Sequence, residues 1–539
     1  MKAWFSVIAP RRGALIVAIT IAAFCGVVYA GVGDVQAVGD NELWTLSDTA
    51  SVSSSTPVSL LSDACRTWFG VEASGDYSNV VLHIIVSILL LLLCDQCLEG
   101  VGGPGPMVGA LVFALLPVGV EAIAWSKGCF DLLASMFVIL AVFAHMRDTR
   151  RAPIVSCVCF ALALLSKDSA LCLPIIALVS DLLFRGRPQR TWMGRYLGFA
   201  GVLVAYFVLR YAIGLSDTDG VQPIDVGGAI AQALPLSLKR VVLGMNLDPL
   251  HPLMAPTMGQ WLIGLAVFAA GSAGAITLRK RFPSPQTKLI ALGWAWFVLA
   301  HMPAAIASPK LEMIGDRHAY LPAVGMGLIV GAAMSALHAK INGHRHGRVL
   351  NLTLAGIVGL VWLSLGMRSA ARVQDWRDAQ VLYQASLRTN PDNALAHRSL
   401  AALDARDGRL EDALVHARRA VELDPGDWRA WNVMCVVQRK RKHFAKAEIA
   451  CQRSLSSVDT HPSIWVNTAK VHMQRSNWAA AEREAREATN LAPASAEARY
   501  VHALSLSKLG RIDEAAAEAR KALELDPEHR GAKDLIEQL

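Results

Sequence analysis

Residues 312–330 read EMIGDRHAYLPAVGMGLIV. Asp316, Arg317 and His318 stand directly against a long apolar run. Ionisable groups at membrane depth are costly and gather where they can pair or line a watery cavity, so this stretch reads as a membrane helix entered from a polar rim. The whole chain supports that reading: over 539 residues it is 53% hydrophobic, with a mean hydropathy of +0.37. Those values exceed what a soluble domain usually carries. Nearly all long apolar runs fall within residues 1–370, whereas 371–539 are rich in Ala, Glu, Arg and Asp. The expected division is a membrane domain over 1–368, a connecting helix and half repeat over 369–390, and a repeat domain over 391–539.

A span needs about 20 apolar residues. Candidates lie at 13–33, 79–96, 105–122, 130–146, 152–166, 169–184, 196–214, 258–278, 288–307, 319–338 and 349–368, about eleven in all. Lys2, Arg11 and Arg12, then RDTRR (147–151), RGRPQRTWMGR (185–195), RKRFPSPQTK (279–288) and KINGHRHGR (340–348), fall in alternate loops. Positive loops face the cytoplasm, which places the N-terminus inside and residues 369–539 outside. Segment 228–250 is apolar but carries Lys239 and Arg240, and is expected as an interfacial or re-entrant helix. Residues 1–30 also fit a cleavable signal peptide, which would leave the sides unchanged. The formal charge of +8 sits mostly in these loops, without a basic patch interleaved with aromatics, so nucleic acid is not an expected partner. Membrane lipid is.

Pro391, Pro425, Pro493 and Pro527 lie on one 34-residue lattice, with Asp459 at the remaining node. That is the tetratricopeptide period. In phase with it, small residues recur at Ala401, Cys435, Ala469 and Ala503, at Ala413, Ala447, Ala481 and Ala515, and at Ala420, Ser454, Ala488 and Ala522. Ala379 and Ser386 keep the phase one unit earlier. The expectation is a half repeat, four full repeats and a capping helix, an α-solenoid that binds protein or peptide along a concave surface, or else serves as a spacer. Cys435 and Cys451 fall on the facing helices of one repeat, as a disulfide or as two packed thiols. CDQC at 94–97 has no second pair and gives no metal site. Carboxylates could hold a divalent cation, but no spacing compels one. No other cofactor is called for.

Acids and bases gather on the outer side: Asp40 and Glu42 in GDNELW, Glu121 and Asp131 about AIAWSKGCF, Lys167-Asp168, and Asp316-Arg317-His318. The segments FALLPVGVEAIAWSKGCFDLLASMF (113–137), LALLSKDSALCLPIIALVSDLLF (162–184), GDRHAYLPAVG (315–325) and ARVQDWRDAQVLYQASLRTNP (371–391) resemble, in this order, hallmark segments of GT-C membrane glycosyltransferases with C-terminal tetratricopeptide repeats, the group related to protein O-mannosyltransferases. The resemblance implies an all-α polytopic enzyme that moves a sugar from a polyprenyl-phosphate donor to a protein or other acceptor on the extracytoplasmic face. Asp40 would then be the base. Arg317, steadied by Asp316, would bind the leaving phosphate, and Lys127 would replace the charge of an arginine that relatives carry two residues later. Glu42, Glu121, Asp131, Lys167, Asp168, Asp316 and His318 would shape the cavity for acceptor or phosphate. This chain departs from the family pattern at Asp40-Asn41, where relatives pair two acids, at LPVGVE (116–121) and at KGCFD (127–131), which lack two histidines and the arginine. Those losses suit an alternative, a non-catalytic membrane scaffold whose repeats recruit partners for envelope assembly. Ala- and Arg-rich composition points to a bacterial inner membrane, with the repeats in the periplasm.

Overall fold

The computed structural model describes residues 12–34, 77–98, 101, 103–186, 190–212, 226–243, 247–248, 251–252, 257–301 and 313–539. They form two compact units that part after Asp378. The first unit contains α1 (Arg12–Val28), α2 (Ser78–Cys97), α3 (Gly105–Leu115), α4 (Val120–Ala124), α5 (Cys129–His145), α6 (Ala152–Ser166), α7 (Leu173–Phe184), α8 (Arg190–Ala212), α9 (Val226–Leu243), α10 (Met258–Arg281), α11 (Pro285–Leu299), α12 (Tyr320–Asn342) and α13 (Gly347–Asp375). Its extended structure, among the described residues, is a two-residue antiparallel pairing of His251 with Ile314 and Pro252 with Met313.

A helix occupies each of the eleven apolar stretches. By length and composition, however, five are sufficient to cross a membrane: Ser78–Cys97, Trp192–Ala212, Met258–Arg281, Asp316–Asn342 and Gly347–Asp375. A sixth arises if α3 and the segment Pro117–Ala124, bent by 50°, act as one span. Exposed apolar side chains cover α8, α10 and α13, including Leu197, Val204, Leu262, Leu265, Leu352 and Leu360. Apolar surface on this scale is unsustainable in water and matches hydrocarbon. Segment 226–243 is helical with Pro235 inside it; Lys239 is exposed and Arg240 is fully buried.

Small residues bring α12 into the centre. A Cβ at Gly109 would collide with the backbone of Gly327 and Gly331, and one at Gly325 would collide with the backbone of Gly293 on α11. Backbones that approach this closely gain dispersion contacts that lipid alone cannot supply. The bend after α3 follows from Pro117, which has no N–H to donate. The carbonyls it leaves behind are satisfied by side chains: Tyr29 and His83 donate to Ala114 O, each at 3.0 Å, and Ser369 donates to Leu115 O at 2.8 Å. Because His83 Nε2 donates, its Nδ1 accepts from the Tyr320 hydroxyl at 2.7 Å. The bend and its plugs aim α4 toward the start of α12.

The second unit runs α14 (Ala379–Thr389), α15 (Ala394–Arg406), α16 (Leu410–Leu423), α17 (Trp428–Lys440), α18 (Phe444–Ser457), α19 (Pro462–Gln474), α20 (Trp478–Leu491), α21 (Ala496–Lys508), α22 (Ile512–Leu525) and α23 (Arg530–Gln538). All twelve lattice positions in the full repeats are 0% exposed. Only a methyl, a thiol or a hydroxymethyl fits where two helices close on each other, which is why the lattice is visible at all. The turns inside the pairs keep the same period. Gly408, Lys442, Ser476 and Gly510 all have positive φ, at 83°, 63°, 59° and 78°. Cys435 on α17 and Cys451 on α18 are joined by a disulfide. Ala532 and Leu535 of α23 close the stack.

Candidate functional site

Glu121 enters on the first turn of α4 and Arg317 on the short 3-10 turn Asp316–Ala319 that leads into α12. The two meet. The Glu121 carboxylate accepts the backbone N–H of Arg317 at 3.1 Å and pairs with its guanidinium. Gly315 makes this approach possible, since a Cβ there would press on both Glu121 oxygens. Trp125 lies beneath the guanidinium, 4.5 Å from ring centroid to Cζ, and Asn79 donates to the Trp125 carbonyl at 2.9 Å. Arg317 is thus fixed on one edge and one face, with its side chain 15% exposed while Glu121 is 1% exposed.

The expected role of Asp316 requires correction. Its carboxylate takes Arg240 of α9 at 3.3 Å and Arg372 of α13 at 3.1 Å, not Arg317. Arg372 also pairs with Asp375 at 3.1 Å, and Arg240 donates to the Asp248 carbonyl at 3.2 Å. A buried carboxylate between two guanidinium groups offsets part of the cost of desolvating all three, since each charge lies beside its opposite. Asp316 therefore ties three elements together, while Glu121 steadies Arg317. Neighbouring residues through the backbone are not obliged to be partners.

Asp131 and Lys167 pair at 2.5 Å. Asp168, next to Lys167 in sequence, turns to α8, accepting from Arg210 at 2.9 Å and from the Tyr206 hydroxyl. His318 bonds the Gly315 carbonyl at 3.2 Å and lies in electrostatic range of Arg317, Lys167 and Arg240. Lys127 is half-buried between α4 and α5. Asp40 and Glu42 lie outside the described residues. Among the described residues, no group of three or more His, Cys, Asp or Glu side chains could hold a metal ion.

Reading the sequence missed Trp125, Tyr206, Arg210 and Arg372 as site-forming residues. Arg372, an arginine in the last turn of a long apolar helix, and Arg210, in the last turn of another, carried a signal in their positions. What the assembly can do is hold a fixed array of matched charges at a helix end, where an incoming anion would find prepositioned N–H donors.

The tetratricopeptide repeat family matches residues 367–428 and 466–530. Over 93% of its length the chain is similar, at 23% identity, to protein O-mannosyl-transferase TMTC3 of Mus musculus, covering 62% of that protein. It is also 30% identical over 42% of its length to protein O-mannosyl-transferase Tmtc1 of Drosophila melanogaster, covering 25% of it. The chain thus spans between a quarter and about three fifths of these relatives. Among solved structures, the thermophilic tetratricopeptide protein TTC0263 of Thermus thermophilus covers 33% of this chain at 20% identity and a TM-score of 0.28. YrrB, described as having an unusual peptide-binding site, covers 29% at 21% identity and a TM-score of 0.25.

Proposed function

We propose that this chain, a relative of the protein O-mannosyl-transferases that carries tetratricopeptide repeats, is itself a membrane glycosyltransferase of the GT-C kind. It moves a sugar from a polyprenyl-phosphate donor to a protein acceptor on the extracytoplasmic face. The observation that carries the reading is Arg317, whose fork is held by Glu121 and Trp125 at the entrance to a membrane helix. A guanidinium has five N–H groups, and the Glu121 pairing takes only one end of the fork. The rest suits the oxygens of a lipid-borne phosphate.

In the reaction, an acceptor hydroxyl attacks the anomeric carbon as the bond to the phosphate oxygen breaks, and the hydroxyl proton passes to a carboxylate. Asp40 is the base in this proposal. Negative charge then accumulates on the departing polyprenyl phosphate, where Arg317, with Lys127 two residues past Trp125, stabilises it. Fixing Arg317 before the donor arrives avoids reorganisation during bond cleavage. The Asp131–Lys167 pair and His318 line the approach for acceptor or phosphate, and Asp168 shapes α8 against it. Eleven spans with the N-terminus inside would place Asp40, Arg317 and the repeats in one compartment, the periplasm of a bacterium.

The test is transfer of labelled sugar from a polyprenyl-phosphate donor to acceptors in membranes carrying the full chain. Asp40→Asn should abolish transfer and spare folding. Wild-type turnover in that variant would remove Asp40 from its role. Absence of transfer by the unaltered chain, together with no retained lipid-phosphate sugar after purification, would leave the scaffold reading in its place.

A further inference from the structure

The first unit carries a second group of matched charges, at the far end of α5. That helix rises about 20 Å between Asp131 in its first turn and His145 at its close. Asp181, near the end of α7, is buried there. It accepts from His145 Nε2 at 2.9 Å, from the Tyr196 hydroxyl at 2.8 Å and from Arg185 at 2.5 Å. The His145 carbonyl, left open by the end of α5, accepts from Arg185 at 3.0 Å and from Arg195 of α8 at 2.9 Å. Three helices thus hold two guanidinium groups side by side.

Their remaining partner is held weakly. Both arginines reach the Asp148 carboxylate, Arg185 at 2.9 Å and Arg195 at 3.3 Å. The Asp148 side chain is 80% exposed, whereas those of Arg185 and Arg195 are 17% and 15% exposed. An ion pair with so exposed a carboxylate contributes little, so Asp148 can leave while Asp181 and the His145 carbonyl keep the forks in place. Each fork also has N–H groups that these contacts do not use. Positive charge is in excess around them. Arg147, 4.5 Å from the Phe143 ring centroid, and the exposed Arg150 and Arg151 meet no carboxylate among the described residues.

An apolar track leads to the pair. Ile175, Leu178 and Leu182 are exposed, and with Arg185 they stand at i, i+3, i+7 and i+10 along one face of α7. Hydrocarbon along a face and an anion at its end is the shape of a membrane lipid. We infer that Arg185 and Arg195 bind the phosphate of an anionic membrane lipid, which takes the place of the Asp148 carboxylate while an acyl chain lies along Ile175, Leu178 and Leu182. Planar guanidinium forks match phosphate oxygens, and basic pockets between membrane helices suit such headgroups. The inference goes beyond sugar transfer, because the pair lies at the opposite end of α5 from the Asp131–Lys167 contact and binding needs no sugar donor.

The experiment is native mass spectrometry of the full chain in detergent, titrated with phosphatidylglycerol or phosphatidylcholine. Phosphatidylglycerol should be retained more strongly, and an excess of inorganic phosphate should not displace it. Arg195→Gln should weaken its retention by about tenfold. Asp148→Asn removes the competing carboxylate without touching either arginine, and should strengthen retention by up to about fivefold. Arg151→Gln, on the same loop but exposed and unpaired, should leave retention as in the parent. Thermal melts establish that each variant is folded. Equal retention of the two lipids, or equal losses in Arg195→Gln and Arg151→Gln, would reduce the pair to diffuse loop charge and overturn the inference. Weaker retention in Asp148→Asn would overturn it too, as would displacement by inorganic phosphate, which would make this a site for the free anion.

Discussion

Glu121 accepts both the backbone N–H of Arg317 and its guanidinium across 196 residues of sequence. One carboxylate thereby fixes where Arg317 begins and where it ends. Removing it should act on stability and on chemistry by separate routes. Glu121→Ala leaves a guanidinium largely buried without its counter-charge, a change that costs about 3 kcal/mol or more. Adding Arg317→Met should recover much of that stability without recovering transfer. Melting in detergent and donor turnover, measured on both single variants and the double variant, give the comparison. Full turnover in the double variant would show that the phosphate does not need Arg317.

Asp316→Ala should be among the most damaging single changes in the membrane unit. It takes the carboxylate from beside Arg240, which is fully buried, and leaves Arg372 with Asp375 alone of its two carboxylates. The expected loss is about 3–5 kcal/mol, read as a lower melting temperature and as new protease cutting near α9. A variant that melts like the parent would mean that water reaches both arginines.

In the repeats, Lys442 and Ser476 occupy left-handed turns that Gly408 and Gly510 fill at the equivalent positions. A side chain in that region is strained by about 1 kcal/mol. Lys442→Gly and Ser476→Gly should each relieve the strain, offset in part by the greater freedom of glycine in the unfolded chain. A gain of about 0.5 kcal/mol apiece is expected in urea unfolding of the repeat unit, and a loss at both sites would contradict the strain.

The Cys435–Cys451 disulfide closes a loop with a separation of 16 residues. Chain-entropy reasoning assigns such a loop about 3 kcal/mol. Dithiothreitol should lower the melting temperature of the parent and leave Cys435→Ala/Cys451→Ala unaffected. In membranes prepared with thiols blocked at lysis, a maleimide mass tag should reach these two cysteines only after reduction. Tagging without reductant would place the repeats in a reducing compartment and reverse the proposed orientation.

Acid should loosen the repeat unit. His397 Nε2 donates to the Pro391 carbonyl at 3.0 Å, so its Nδ1 accepts from His416 Nδ1 at 2.9 Å. Burial holds both imidazoles, and His502, below the ordinary histidine value. Burial pushes the Glu497 carboxyl up, but Lys470 and His529 outweigh it and hold it below the usual carboxylate range. A depressed folded value means that protons bind the unfolded chain first. The stabilisation is present above the unfolded value and is lost as pH falls, from about 6.5 for the histidines and about 4.3 for Glu497. His416→Phe should flatten the upper part of that decline and Glu497→Gln the lower. Melting temperatures that hold steady from neutral pH to about pH 4 would refute the assignment.

The repeat array was legible because its signal is local and repeated. An alanine every 34 residues needs no knowledge of distant partners, and burial of all twelve positions follows from one helix–helix distance used again and again. The apolar runs were legible for a similar reason, since hydrocarbon selects composition segment by segment. Glu121, Asp131, Lys167, Asp168 and Arg317 also declared themselves as charges set against apolar helices. Their partners did not. Asp316 adjoins Arg317 in sequence but bonds Arg240 and Arg372, while Lys167 and Asp168, also adjacent, turn to Asp131 and to Arg210. Pairing across tens to hundreds of residues depends on where the bend at Pro117 sends α4 and on how closely glycine lets α12 approach its neighbours. Periodicity and composition thus decided what kinds of element this chain makes, whereas only close packing in three dimensions decided which charge answers which.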